Sequence, residues 1–134
     1  MKYFSIVLLL VLNGLAGCLI TDLDESNDTW MSISPIQCLG NPWEQDWLAS
    51  HDDDYESYPA DPSKPGLEPG EKAIIRKYYE GQGVRIIQLD SKQWDGAVCL
   101  ACSCPAGYTL LASVDTVDRK RMLELGFSDT EPFG

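Results

Sequence analysis

The sequence predicts a small single α+β domain that is stapled by disulfides and preceded by an acidic N-terminal tether. In its second half, two segments with helical apolar spacing flank two segments rich in β-branched residues. A cluster of three cysteines separates those two segments, and a fourth lies earlier, which is typical of a disulfide framework. The chain has 134 residues, 44% of them hydrophobic, which suits one core rather than two domains.

The first 17 residues have the pattern of an export signal. Lys2 supplies a positive charge, and residues 6–12 are almost entirely Leu, Val and Ile. This apolar stretch is shorter than the ~20 residues that a membrane-spanning helix needs, and small residues end it. We therefore expect residues 1–17 to be a signal peptide that is removed on export.

The signal ends in Leu15-Ala16-Gly17-Cys18, which resembles the lipobox of bacterial lipoproteins at every position. The resemblance implies cleavage after Gly17, diacylglycerol on the Cys18 sulfur and a further acyl chain, such as palmitate, on its amine. Several acyl chains anchor a protein where one chain binds only reversibly. Leu19 stands where the retention signal for the inner membrane would place Asp, which implies the outer membrane in a cell with two membranes. The alternative is an ordinary cleaved signal with a chance cysteine.

The acidic residues are concentrated in the first half of the mature chain. Residues 19–71 carry 13 acidic side chains and one basic one, a net charge of −12, whereas residues 72–134 carry eight of each. Clusters of Lys and Arg that bind phosphate backbones are lacking, so we expect no nucleic-acid partner. Residues 18–37 are predicted to be the lipidated acidic tether, and residues 38–134 the folded domain.

A helix is predicted to begin at Asn41-Pro42-Trp43-Glu44 and to end near Ser50. Asn41 is a capping residue, proline fits the first helical position, and glutamate three residues after the cap completes a capping box. Trp43 and Trp47 lie four residues apart and share one face. The favoured interpretation places both rings in the core, and a ligand platform is the alternative.

Residues 51–70 predict a long acidic loop broken by four prolines and two glycines. Carboxylates suited to calcium are grouped there, namely Asp52, Asp53, Asp54 and Glu56. They lack the alternating spacing and the glycine of a helix–loop–helix calcium site. A solvated loop is therefore the favoured interpretation, and it includes His51, the only histidine.

The remaining chain predicts the order helix, strand, cysteine segment, strand, helix. The elements are a helix over 71–80, strands over 84–89 and 107–115, and a helix over 116–125. The first strand is apolar on both faces and is expected to be buried on both. Asp95-Gly96 predicts a turn. In the last helix, Val117, Met122 and Leu125 are expected to face inward.

Four cysteines remain once Cys18 is acylated: Cys38, Cys99, Cys102 and Cys104. Disulfides are the expected state in an exported protein. Pairing Cys102 with Cys104 would close a very tight ring, so we expect Cys38 to pair with Cys102 or Cys104, and Cys99 with the other. Two alternatives stay open, a redox motif at Cys99-Leu100-Ala101-Cys102 and a zinc site made of all four thiolates.

No catalytic constellation is predicted, and no cofactor is required. We therefore expect a non-enzymatic binding or accessory module of the cell envelope, held to the membrane by its lipid and contacting an envelope protein or ligand. Its expected contact area consists of aromatic residues among charges, namely Trp30, Trp43, Trp47, Tyr55 and Tyr58. The alternative is a thiol redox or metal protein that uses Cys99, Cys102 and Cys104.

Overall fold

The structure, a computed structural model of the chain, describes residues 27–61, 64 and 66–132. Its helices and strands are β1 Asp28–Ile33, α1 Pro42–Ala49, α2 Pro69–Gly81, β2 Ile86–Gln93, β3 Tyr108–Asp115, α3 Arg119–Glu124 and β4 Ser128–Asp129. The strands form one antiparallel sheet in the order β2-β3-β1-β4, which confirms the α+β prediction. The predicted signal peptide and Cys18 lie outside the described residues. None of the described helices is both long enough and apolar enough to cross a membrane.

β1 is an interior strand of the sheet, so the predicted tether over 18–37 is wrong from Asp28 onward. The strand pairs with β3 along its whole length, from Asp28 opposite Asp115 to Ile33 opposite Leu110. Met31 is fully buried at its centre. Its sequence is short and only half apolar, which hides this role, because the partner strand lies about 80 residues later and pairing depends on that strand.

The core lies on one face of the sheet, beneath the helices. Directly paired residues of antiparallel strands share a face, so Met31, Ala112 and Leu89 point to the same side. The helices add Trp43, Ile75, Tyr79 and Met122. Trp43 therefore occupies the core, as the favoured interpretation expects, whereas Trp47 is half-buried and lies outside it.

The predicted helix starts are confirmed where local capping signals exist. In α1, Glu44 Oε2 accepts a 2.8 Å hydrogen bond from the backbone N–H of Asn41, as the capping box requires. α2 begins at Pro69, two residues before the predicted start. At the end of α3, Gly126 has a φ of +93°, and the N–H of Phe127 donates to Met122 O at 3.1 Å.

The last helix is shorter than predicted, because a 3₁₀ turn over Thr116–Asp118 precedes it. Asp115 caps this turn by accepting a hydrogen bond from the Val117 N–H at 3.1 Å. A 3₁₀ turn has three residues per turn instead of 3.6. Val117 is consequently rotated outward and is 79% exposed, so its predicted inward orientation is wrong.

β2 is an edge strand, and the expectation that it is buried on both faces is wrong. Ile86 and Leu89 are buried, whereas Ile87 is exposed at an irregularity in the register between Ile86 and Gln88. Arg76 Nη1 donates a 2.5 Å hydrogen bond to the Ile86 carbonyl. A bulge and a covering side chain are common ways to keep an edge strand from pairing with another molecule.

One disulfide ties the loop after β1 to the segment between β2 and β3, and a second lies within that segment. They join Cys38 to Cys102 and Cys99 to Cys104, one of the two pairings that the sequence left open. A bridge between Ile36 and Pro105 extends the sheet pattern into the same region. The Cys38–Cys102 disulfide thus links the loop after β1 covalently to the segment before β3, at the end of the sheet where β1 finishes.

Candidate functional site

A cavity of about 260 Å³ lies where the N-terminal turns of α1 and α2 meet the end of the sheet. Residues 36–39 form one wall, and Tyr108 and Gln93 contribute from β3 and β2. The first turns of the helices contribute Glu44 and Glu71. The cavity therefore combines apolar side chains with three carboxylates, since Asp61 also lines it, and two of the three, Glu44 and Glu71, are buried.

Both carboxylates belong to the third residue of a helix, because the caps are Asn41 and Glu68. Their side chains are buried, with Glu44 4% and Glu71 6% exposed. Glu44 Oε2 also accepts a 2.8 Å hydrogen bond from Asn41 Nδ2, and Glu71 accepts one from the backbone N–H of Glu68. The capping geometry of two separate helices thus brings two glutamates to one cavity.

Burial and mutual repulsion favour the protonated form of this pair. Burial, followed by the charge of Glu44, raises the pKa of Glu71 to about 7. Burial also raises the pKa of Glu44, although the hydrogen bonds from Asn41 oppose that shift. Across the part of the chain that the structure describes, no lysine or arginine forms an ion pair with either glutamate.

The one lysine lining the cavity is held by other carboxylates. Lys64 Nζ lies 3.3 Å from Asp61 Oδ2 and 3.2 Å from Glu68 Oε1, and its side chain is largely exposed. Its ammonium is therefore paired with Asp61 and Glu68 at the exposed rim of the cavity.

The charges of the two glutamates also affect the pKa of two tyrosines, Tyr58 and Tyr108. Burial is the first cause that raises the pKa of Tyr58 and Tyr108 above the usual range, and the charges of Glu71 and Glu44 add to it. The Tyr58 side chain is 5% exposed, yet its hydroxyl has no hydrogen-bond partner. The indole N–H of Trp43 interacts with this hydroxyl and lowers its pKa, but the two atoms do not reach hydrogen-bond geometry.

The wall formed by residues 36–39 is strained and held in place. Cys38 and Leu39 have φ values of 59° and 51°, in the left-handed region that non-glycine residues rarely adopt. Gln37 Nε2 donates hydrogen bonds to the Cys99 carbonyl at 2.8 Å and the Pro105 carbonyl at 3.0 Å. Together with the Cys38–Cys102 disulfide, these bonds tie this wall to the segment between β2 and β3.

The aromatic residues that the sequence assigned to a contact area do not share one exposed surface. Trp43 and Tyr58 are buried, so as placed they cannot contact a partner, and this part of the expectation is wrong. Tyr55 is 58% exposed, and Trp47 is half-buried. Trp30 is half-buried on the sheet face opposite the core, where it pairs with Ser113.

Trp47 lines a separate groove of about 270 Å³ between α1 and α2. His51 stacks on its ring with centroids 3.9 Å apart, and Tyr58 packs edge-on at 5.3 Å. His51 Nδ1 lies 2.8 Å from the Trp47 carbonyl oxygen. The histidine of the acidic loop is therefore exposed but fixed against helix α1.

The acidic loop is folded locally by its own hydrogen bonds. Asp54 Oδ1 accepts a hydrogen bond from the Glu56 N–H at 3.2 Å and caps a 3₁₀ turn over Tyr55–Ser57. The bond from the Ser57 hydroxyl lowers the pKa of Asp54. Among residues 27–61, 64 and 66–132, no three His, Cys, Asp or Glu side chains are grouped so that they could hold a metal ion.

The cysteines of the Cys99-Leu100-Ala101-Cys102 motif are not bonded to each other. Each forms a disulfide with a different partner, Cys104 and Cys38 respectively. In this pairing none of the four sulfurs is a thiolate, which both zinc binding and nucleophilic redox chemistry require.

The pair of Glu44 and Glu71 is the feature that sequence reasoning missed. Each residue alone is recognisable as a capping glutamate, but their approach depends on how α1 packs against α2. Comparison with protein-family models, curated proteins and solved structures gives no match.

Proposed function

We propose that this chain is an exported, lipid-anchored protein of the cell envelope whose folded body is a non-enzymatic binding module. The observation that carries the binding role is the open cavity with its buried carboxylates and its fixed wall. Ligand sites are usually such preformed hollows, with a few polar groups placed among apolar ones.

The lipobox resemblance at Leu15-Ala16-Gly17-Cys18 supports the anchor, and the four paired cysteines suit an oxidising compartment outside the cytoplasm. The acyl chains on Cys18 would hold the body at the membrane. In a cell with two membranes, Leu19 favours the outer one.

Mass spectrometry of the mature protein from isolated membranes tests anchor and pairing together. We expect an N-terminal Cys18 carrying acyl chains, together with peptides joined as Cys38–Cys102 and Cys99–Cys104. Cys18→Ser is the matched control and should lose both the acyl mass and the membrane association. An N-terminus elsewhere, or an unacylated Cys18 in the native protein, contradicts the proposal.

Counting thiols on the native protein separates this function from the redox or metal alternative. We expect no free thiol and no bound zinc. Two or four reactive thiols, or one zinc per chain, would instead favour a protein that works through Cys99, Cys102 and Cys104.

A further inference from the structure

The first described residue lies beside the 3₁₀ turn that precedes α3. The backbone N–H of Thr116, in that turn, donates a 2.9 Å hydrogen bond to the carbonyl of Asn27. Next to this contact, Asp28 at the start of β1 lies opposite Asp115 at the end of β3. Asn27 and residues 116–120 therefore belong to one end of the folded body, which we call the Asn27 end.

The cavity and both disulfides lie at the opposite end of the sheet. Ile33 is the last residue of β1, and residues 36–39 after it form a wall of the cavity. A strand rises about 3.3 Å per residue, so the two ends of β1 are roughly 17 Å apart. Cys38 is bonded to Cys102 beyond that second end. The cavity is therefore remote from Asn27.

Only a short stretch of chain separates the proposed lipid anchor from the Asn27 end. Nine residues lead from Cys18 to Asn27, and at about 3.5 Å each they span at most ~32 Å. A body of about 100 residues has a radius of gyration of about 13 Å and is roughly 33 Å across. Placing the cavity end against the membrane would thus require an almost fully extended connection, which costs conformational entropy at each residue.

The Asn27 end exposes side chains that suit a lipid surface. Val117 is 79% exposed in the 3₁₀ turn, and Lys120 is exposed in the first turn of α3. An apolar side chain can enter the headgroup region while a neighbouring lysine keeps its ammonium in water near the phosphates. Asp28, Asp115 and Asp118 belong to the same end, so the contact depends on Val117 and the short connection rather than on attraction to anionic lipid.

Leu100 is the competing candidate for a membrane contact. Its side chain is 96% exposed, the highest value among the large hydrophobic residues that the structure describes. It lies within the ring closed by the disulfide between Cys99 and Cys104, at the cavity end. Leu100 could reach the membrane only through the same extended connection, so it belongs to the end remote from the anchor.

We propose that the folded body rests on the lipid surface through the Asn27 end, with Val117 among the headgroups and the cavity turned away from the membrane. The inference rests on the proposed lipid anchor and deepens it, because it names the protein surface that meets the lipid. It also means that a ligand of the cavity arrives from the aqueous side.

The experiment measures how far the membrane protects individual lysines from acetylation. The acylated native protein is inserted into preformed phosphatidylcholine vesicles and treated with a membrane-impermeant acetylating reagent. The mature chain with Cys18→Ser, in the same vesicle suspension, is the unanchored reference. We expect mass spectrometry to show that Lys120 reacts severalfold more slowly in the anchored protein. Lys64, at the rim of the cavity, should react at the same rate in both.

Val117→Glu is the informative variant, and Leu100→Glu is its matched control. Each places a carboxylate at an exposed position, so both variants should fold. In the anchored protein, Val117→Glu should bring the acetylation rate of Lys120 close to the unanchored rate, because burying a carboxylate in the headgroup boundary is unfavourable. Leu100→Glu should leave the protection of Lys120 unchanged.

Four results would overturn the inference: equal Lys120 rates in the anchored and unanchored proteins, protection of Lys64 as strong as that of Lys120, protection that survives Val117→Glu, or protection that Leu100→Glu removes. Vesicle flotation tests the anchor separately. If the native protein floats and Cys18→Ser does not, the anchor stands and each of these results removes only the orientation. A native protein that does not float contradicts both the anchor and this inference.

Discussion

Glu71 is the residue at which burial and charge are most directly opposed. Its pKa is raised from the ordinary value of 4.5 to about 7, mainly by burial and then by the charge of Glu44. Well below pH 4.5 the side chain is neutral in both the folded and the unfolded chain, so its ionisation does not affect the free energy of unfolding. As the pH rises to 7 the unfolded chain ionises first, and the folded state loses stability until both forms are ionised.

We therefore expect the protein to be more stable at about pH 5 than at about pH 8. Glu71→Gln should raise the free energy of unfolding at pH 8 by on the order of 2–3 kcal/mol and should remove most of the difference between the two pH values. Urea unfolding at both pH values measures this. Glu56→Gln is the control, and a native protein that is equally stable at both pH values contradicts the raised pKa.

Asn41 is a second residue whose local role extends into tertiary structure. It caps α1, binds Glu44, and pairs with both backbone polar groups of Ile36 at 2.9 Å. It also fixes the cavity wall relative to the helix. Its side chain therefore connects the start of α1 to the wall of the cavity.

We expect Asn41→Ala to destabilise the protein by about 2 kcal/mol or more, because it removes a cap, a donor to the buried carboxylate of Glu44, and the partners of the partly buried backbone groups of Ile36. Thermal or urea unfolding measures the change. Asp54→Ala is a suitable comparison, since it removes a cap from an exposed 3₁₀ turn and should cost less. Equal losses in the two variants would show that the buried contacts of Asn41 add nothing.

At the scale of elements, sequence reasoning succeeded where the signal is local. The proline and capping residues at the start of α1, and the glycine after α3, fix helix ends within a few residues. β1 was missed because its pairing partner β3 is distant in the chain. The pair of Glu44 and Glu71 was missed for the same reason, since each helix start was visible but their packing was not.

Val117 tests the corrected start of the last helix. Because its side chain is largely exposed on the 3₁₀ turn, Val117→Ser should change the free energy of unfolding by no more than about 0.5 kcal/mol. The inward orientation predicted from helical periodicity would instead cost about 1–3 kcal/mol. Chemical denaturation distinguishes the two values, and Met122→Ser, at a fully buried position, is the positive control.

For the whole molecule, the two disulfides differ in the length of chain that they close. Cys38 and Cys102 are separated by 64 residues, and Cys99 and Cys104 by 5. In the chain-entropy description, closing a longer loop removes more freedom from the unfolded chain. The even cysteine number predicted a framework, but only the fold could decide which cysteines meet.

We expect the double variant Cys38→Ala/Cys102→Ala to lose about 4 kcal/mol of unfolding free energy, and Cys99→Ala/Cys104→Ala about 2 kcal/mol. Equilibrium denaturation under non-reducing conditions measures both, and each pair serves as the control for the other. A larger loss from the short loop would mean that local packing around the buried Cys104, rather than loop length, dominates.

The long disulfide also determines how the molecule would carry mechanical tension. A pull between the N-terminal side of Asp28 and the C-terminus separates β1 from β3 at the end where Asp28 pairs with Asp115, so the hydrogen bonds between the two strands break one after another. Once the strand yields, the force passes directly from Cys38 to Cys102. The chain between them, with α1, α2 and β2, is bypassed, so both glutamates lie in a region that stretching does not extend.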